Sequence, residues 1–124
     1  MSDQVAIGVD VGTGSVRAGV FTLAGKMLGT ASSAIKENHP KEDFYEQSSD
    51  DIWTQTGNVV RKALAESGRA ECDVVGLSYD ATCSLVALDV DQRPVTVSES
   101  GDDDWNIIVW RDHRAIDQVM RINE

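Results

Sequence analysis

Apolar and polar positions alternate strongly over the first third of the chain. The run Ile7-Gly8-Val9-Asp10-Val11 reaches an aspartate, turns through Gly12-Thr13-Gly14, and resumes as Val16, Ala18 and Val20 alternating with Arg17, Gly19 and Phe21. A period of two predicts two strands joined by a tight turn. Leu23-Ala24-Gly25-Lys26 reads as the next turn, and the small and β-branched residues from Met27 to Ile35 as a third strand, so three antiparallel strands open the chain. Residues 36–48 are polar and mixed, broken at His39-Pro40, and predict a loop in which Phe44 and Tyr45 pack and His39 is solvated.

The period then changes. Ser48 and Ser49 precede Asp50 and Asp51, whose charges suit a helix N-terminus, and Ile52, Val59, Val60, Ala63 and Leu64 recur at helical spacing. An amphipathic helix of about five turns follows from that spacing, with Trp53 as a packing residue, Arg61 and Lys62 near the C-terminal dipole, and Gly68 as the residue after the cap. Asp73 to Asp80 predicts a buried strand ending in an aspartate, Leu85 to Asp89 another, 90–104 a loop, and Asn106 to Trp110 a short apolar strand. Ala115 to Ile122 predicts a final helix. The order βββ, α, β, β, β, α, with three hairpin-linked strands before a crossover helix, fits an RNase H-like α/β layer.

The first turn carries the chemistry. A carboxylate at the end of a buried strand is costly without a cation or donors to receive it. Gly12 and Gly14 can take positive φ and let a ligand approach the backbone, while successive N–H groups and the hydroxyls of Thr13 and Ser15 can face phosphate oxygens. Asp10 can then hold Mg²⁺ or its water shell. The segment lacks the Lys-Ser/Thr pair of a P-loop, and Arg17 stands where the dinucleotide fingerprint needs its third glycine. An ordinary tight hairpin with a capping aspartate also accounts for Asp-x-Gly-Thr-Gly.

The chain's 124 residues fit one domain of ordinary size. Eleven Lys and Arg against 21 Asp and Glu leave a net charge of -10, which repels nucleic-acid backbones and anionic membranes and favours a small nucleotide arriving with its own cation. Met1-Ser2-Asp3-Gln4 has no basic segment ahead of its apolar stretch, and no apolar run approaches the roughly 20 residues of a membrane helix, so a soluble cytoplasmic protein is expected. Cys72 and Cys83 match no metal-knuckle spacing and read as reduced thiols. The acidic run from Glu99 to Asp104 reads as a solvated loop rather than a cation site.

The motifs together resemble a known family. Gly8-Val9-Asp10-Val11-Gly12-Thr13-Gly14-Ser15-Val16-Arg17 is similar to the first phosphate motif of the actin-like, Hsp70 and sugar-kinase superfamily. Glu46-Gln47 followed by Asp51-Ile52-Trp53, the loop Gly76-Leu77-Ser78-Tyr79-Asp80-Ala81-Thr82-Cys83-Ser84, and Asn106-Ile107-Ile108-Val109-Trp110-Arg111-Asp112-His113-Arg114 narrow the resemblance to FGGY carbohydrate kinases, and the loop to their ribulokinase-like branch. The resemblance implies an actin-like ATPase domain with a mixed sheet and antiparallel N-terminal hairpins. It also implies ATP and Mg²⁺ as cofactors, and phosphorylation of a ketopentose such as D-ribulose.

Under that resemblance Asp10, Gly12, Thr13, Gly14, Ser15 and Arg17 face the nucleotide, with Asp10 on the metal. Asp80, Ala81, Thr82 and Asp112 meet sugar hydroxyls, and Trp110 walls the pocket. Each also has a plain structural role open to it: Asp80 as a turn cap, Thr82 as a strand start, Trp110 as core. The family is several times longer, so the resemblance implies that residues 1–124 are the N-terminal part of such a kinase. Its general-base aspartate then lies beyond Glu124, no catalytic residue lies in this segment, and the segment alone is expected to be inactive. Two other readings remain: an RNase H-like nuclease with Asp10 and Asp80 as a metal-binding pair, and a non-catalytic nucleotide-binding module whose exposed apolar surface favours self-association, including a homodimer.

Overall fold

A computed structural model describes residues 3–124. The chain forms two compact units, one of the described residues up to Ile35 together with Asp51–Thr82, the other of Lys36–Asp50 together with Cys83–Glu124.

The first unit is built on a four-stranded sheet. β1 (Val5–Val11) pairs antiparallel with β2 (Ser15–Thr22), and β2 with β3 (Met27–Ala34), through two short turns. At the second turn Gly25 takes φ +84, a conformation glycine adopts without steric cost. Helix α1 (Ser49–Ser67, 19 residues) then crosses over, and after a single 3₁₀ turn at Glu71–Asp73 the chain returns as β6 (Val74–Ala81), parallel to β1. The order is β3-β2-β1-β6. Val5, Ile7 and Val9 of β1 and Val16, Ala18 and Val20 of β2 turn one face inward, where Val59 and Ala63 of α1 close the core. Gly29 of β3 lies against the helix backbone: a Cβ there would stand 2.4 Å from the carbonyl oxygen of Ala63 and 2.6 Å from the nitrogen of Ser67. Gly68 ends the helix with φ +68, as a C-terminal glycine should.

The second unit holds a sheet of two-residue strands, β4 (Glu37–Asn38), β5 (Glu46–Gln47), β7 (Leu85–Val86) and β8 (Ile107–Ile108), in the order β4-β5-β8-β7, followed by α2 (Ile116–Ile122). Asn106, fully buried, accepts the backbone N–H of Ser49 at 2.9 Å and donates to the Ser49 hydroxyl at 2.9 Å and to the Ala87 carbonyl at 3.1 Å, fixing the entry to α1.

Several expectations change. The predicted strands fall into two sheets, and the loop expected over 36–48 contains β4 and β5. β6 is exposed along most of its length because it is the outer strand of its sheet. The strand expected over 85–89 stops at Val86, since Ala87 and Asp89 turn back toward Val95 and Arg93. Trp53 is 72 % exposed rather than packed, because the inward stripe of α1 runs through Thr56, Val59 and Ala63. Arg61 and Lys62 lie short of the last helical turn, which carries no basic residue. Cys72 and Cys83 are free and exposed. Among the described residues no helix is long and apolar enough to cross a membrane, and no group of three or more His, Cys, Asp or Glu is placed to hold a metal ion.

Candidate functional site

β1 and β6 run parallel, and their carboxyl ends are where open α/β sheets place ligands. Register puts Asp10 opposite Asp80 and Val11 opposite Ala81, and the N–H of Thr82 donates to the Val11 carbonyl at 3.2 Å, so the two strands end together. On the other side of β1, Asp10 is in register with Arg17, and their side chains form an ion pair at 2.8 Å. Asp10 belongs to the outward face of β1: its side chain is 53 % exposed, so the burial cost expected for it does not arise. An exposed pair of this kind stabilises a fold by at most about 1 kcal/mol. Asp10 and Arg17 are therefore free, in energetic terms, to serve a ligand.

The turn between β1 and β2 is closed by the N–H of Gly12 donating to the Ser15 carbonyl at 2.9 Å. Neither Gly12 nor Gly14 takes a positive φ, contrary to expectation; both matter for space instead. A Cβ at Gly12 would stand 3.0 Å from Nη2 of Arg17 and 3.2 Å from the Ser15 oxygen, whereas at Gly14 nothing lies within 4 Å. The absent side chains let Arg17 lie beside the turn and leave open space where a Gly14 side chain would be, while the Gly14 carbonyl accepts the Ile35 N–H at 3.2 Å. Beside Asp10 and Arg17 the outer face of the sheet forms a hollow of about 300 Å³, bordered by Gly8, Gly19, Phe21 and Thr30. Asp10, Gly12, Thr13, Gly14, Ser15, Arg17, Asp80, Ala81 and Thr82 are thus gathered at one end of one sheet.

Trp110 and Asp112 belong to the second unit. Trp110 is 57 % exposed, not core, and its backbone N–H donates to the Ser84 hydroxyl at 3.1 Å. Asp112 is buried, its side chain only 1 % exposed, and its carboxylate is saturated. Oδ1 accepts the backbone N–H and Nε of Arg114 at 2.9 and 2.8 Å; Oδ2 accepts the Tyr45 N–H and Arg114 Nη2, both at 2.7 Å. Burial pushes this carboxyl up, but the Arg114 side chain and the two backbone donors outweigh it and hold it below the ordinary carboxylate range. Arg114, raised above its ordinary value chiefly by its hydrogen bond to Asp112, also reaches Oε1 of the fully buried Glu46 at 3.1 Å and the Val97 carbonyl at 3.0 Å. A sugar hydroxyl seeking Asp112 meets acceptors already taken.

The aromatic pair is held by cations and a histidine. Phe44 carries Lys41 Nζ at 4.1 Å and the Arg114 guanidinium at 4.3 Å from its ring centre. Tyr45 stacks on His39 at 4.3 Å and carries the Arg111 guanidinium at 4.3 Å. Glu46 and Arg114 were not singled out from the sequence as a pair; the Asp-x-Arg spacing of Asp112 and Arg114 was the available signal.

Residues 5–124 match the N-terminal domain of the FGGY family of carbohydrate kinases. The chain belongs to that family. It is 47 % identical over 122 residues to an FGGY carbohydrate kinase domain-containing protein of Homo sapiens, covering 98 % of this chain and 22 % of that protein. A D-ribulokinase of Saccharomyces cerevisiae is 41 % identical over 119 residues, covering 94 % of this chain and 17 % of that one. Among solved structures, ligand-bound xylulose kinase from Lactobacillus acidophilus superposes with a TM-score of 0.82 at 21 % identity, over 97 % of this chain and 22 % of that one. The FGGY chain thus shares over nearly its whole length the fold of part of a sugar kinase, and spans about a fifth of the length of the curated relatives it matches.

The turn leaves room for a ligand beside the Asp10–Arg17 pair. A Cβ at Gly14 would meet nothing within 4 Å, Thr13 and Ser15 carry hydroxyls, and the half-exposed Asp10 carboxylate and Arg17 guanidinium stand beside the turn. One carboxylate beside ligand phosphates is also a common way of holding Mg²⁺, which keeps several of its waters.

Proposed function

We propose that the full-length protein carrying this segment phosphorylates a sugar hydroxyl with ATP, and that its sugar is a ketopentose such as D-ribulose. Family membership supports the reaction class, and the 41 % identity to a D-ribulokinase supports the sugar. The observation that carries the reading is the open Gly12–Ser15 turn beside the Asp10–Arg17 pair at the carboxyl ends of two parallel strands.

Phosphoryl transfer asks a protein mainly for positioning and charge neutralisation. Bound ATP with Mg²⁺ supplies the transferable group and part of the neutralising charge. In this reading Gly12, Thr13, Gly14 and Ser15 seat the phosphates, Asp10 holds the cation or its waters, and Arg17 keeps Asp10 in place while bringing positive charge to the phosphate side. Asp80, Ala81 and Thr82 meet the sugar from the end of β6. The nuclease alternative draws no support: the chain's net charge of -10 repels nucleic acid.

The test is coupled ATP turnover by the full-length protein with D-ribulose, D-xylulose, glycerol and gluconate. We expect kcat/KM to be highest for D-ribulose. Turnover favouring another of these sugars overturns the ketopentose assignment, and no turnover with any of them counts against the kinase reading.

A further inference from the structure

The turn between β1 and β2 has a two-residue tip, Thr13 and Gly14, closed at its base by the Gly12 N–H on the Ser15 carbonyl. Gly14 brings no packing of its own, since a Cβ there would meet nothing within 4 Å, and an unheld glycine samples more backbone conformations than any other residue. A hold comes from β3. Ser15 pairs with Ala34, and the ladder runs one pair further, where the Ile35 N–H donates to the Gly14 carbonyl at 3.2 Å. In a trans peptide, as this one is, C=O and N–H point opposite ways, so the bond from Ile35 sets the direction of the Ser15 N–H as well. The end of β3 is itself fixed from beneath. The Ile35 side chain is 8 % exposed and belongs to the core cluster that Ile52 of α1 also joins. Ser33 stands opposite the fully buried Val16, and its hydroxyl donates to Oε1 of Gln55 on α1 at 2.8 Å, while the Ala34 carbonyl lies further from it at 3.4 Å. Gln55 Nε2 in turn lies 3.5 Å from Oδ1 of Asp51, one helical turn back. All of these residues belong to the first unit.

We propose that Gln55, Ser33 and Ile35 are positioning residues that hold the Thr13–Gly14 tip, from α1 through the end of β3, in the shape that receives the nucleotide's phosphates, without touching the nucleotide themselves. This rests on the kinase reading above. A seat shaped before the ligand arrives spares binding the cost of ordering it. Loosening that seat weakens the hold on ATP and leaves the chemistry of the filled site as it was, which separates KM from kcat.

The test takes the full-length protein as wild type, Ser33→Ala, Gln55→Ala, the double variant, and Ser33→Thr, which keeps the hydroxyl. Either alanine should raise KM for ATP about twofold to tenfold, the range of one neutral hydrogen bond, with kcat at saturating ATP and KM for the sugar unchanged. The double variant should be no worse than the single ones, because both remove the same bond, and Ser33→Thr should restore wild-type values. Hydrogen exchange at the Ile35 amide, resolved by fragmentation of its peptide, should quicken in both alanine variants. An unchanged KM for ATP in the two alanine variants overturns the proposal, and so does an unchanged Ile35 exchange rate. A double variant whose KM rises by the product of the two single effects also overturns it, since the two side chains would then act apart. Wild-type protein that turns over no sugar refutes the kinase reading separately, and the Ile35 exchange rate still decides whether α1 holds the end of β3 on the tip.

Discussion

Gly29→Ala is the sharpest test of how the first unit is packed. The added methyl would stand 2.4 Å from the Ala63 oxygen, 2.6 Å from the Ser67 nitrogen and 3.0 Å from the Ser67 Cα. All three are backbone atoms of α1, so no side-chain rotation relieves the overlap, and the helix must move off β3. Overpacking a core costs typically about 1–3 kcal/mol, and a rigid neighbour places this substitution at the upper end. Alanine returns about 0.4–1 kcal/mol by restricting the unfolded chain, which leaves a net loss of about 2 kcal/mol. At a urea slope of about 2 kcal/mol/M the denaturation midpoint falls by about 1 M. Gly76→Ala is the control, because a Cβ there meets nothing within 4 Å and the residue lies in β6 of the same sheet. Equilibrium urea denaturation should show Gly76→Ala at or slightly above wild type and Gly29→Ala well below it. Coincident midpoints for the two variants refute the close helix–strand approach.

Other outcomes follow from the same geometry. Asp112→Asn should cost about 3 kcal/mol near neutral pH by taking from the largely buried Arg114 the carboxylate that accepts its Nε at 2.8 Å and its Nη2 at 2.7 Å. Because the folded-state carboxyl is held below its unfolded value of about 3.9, its contribution is complete above that value and disappears as pH falls through the lower folded one, so the deficit should shrink in acid; urea midpoints at pH 7 and pH 3 that differ from wild type equally contradict this. Gly12→Ala should displace Arg17 from Asp10 and lower kcat/KM for ATP in the full-length protein about tenfold, the scale of one charge-assisted hydrogen bond; unchanged ATP kinetics argue against the turn as the nucleotide seat. Val59→Ala, at a fully buried position, should lose about 2–3 kcal/mol, whereas Trp53→Ala should stay within about 0.5 kcal/mol; thermal melts that rank the two the other way contradict the inward stripe of α1.

The hairpins, their turn and the long helix were legible in the sequence because each is dictated locally. Val5, Ile7 and Val9 repeat at a period of two, Val59 and Ala63 share one helical face, and Gly25 and Gly68 sit where chain reversal and helix termination need them. The candidate phosphate residues were legible for the same reason, being contiguous. What escaped was set by distant partners. Val75, Leu77 and Tyr79 look like a buried strand, yet they line the outermost strand of a sheet, a fact of strand order rather than of composition. Glu46 lies 68 residues before Arg114, and no spacing rule announces that a loop glutamate will be buried against it. Asp112 was identified as polar and functional; that its oxygens are consumed internally depends on the Tyr45 backbone, which sequence pattern does not reveal.

The mixed sheet also imposes an order of events on folding. β1, β2 and β3 meet through turns of a few residues, so their ladders close over short loops at small entropic cost. The β1–β6 ladder joins Val5 to Val74 and closes over a far longer loop that contains α1, at a higher entropic cost. On a growing polypeptide the meander can assemble before β6 has been synthesised, with the β1 edge held vacant in the meantime. The ladder that sets Asp80 opposite Asp10 is thus the one that closes over the longest stretch of chain in its sheet, so the register of the candidate site depends on the costliest pairing of the unit.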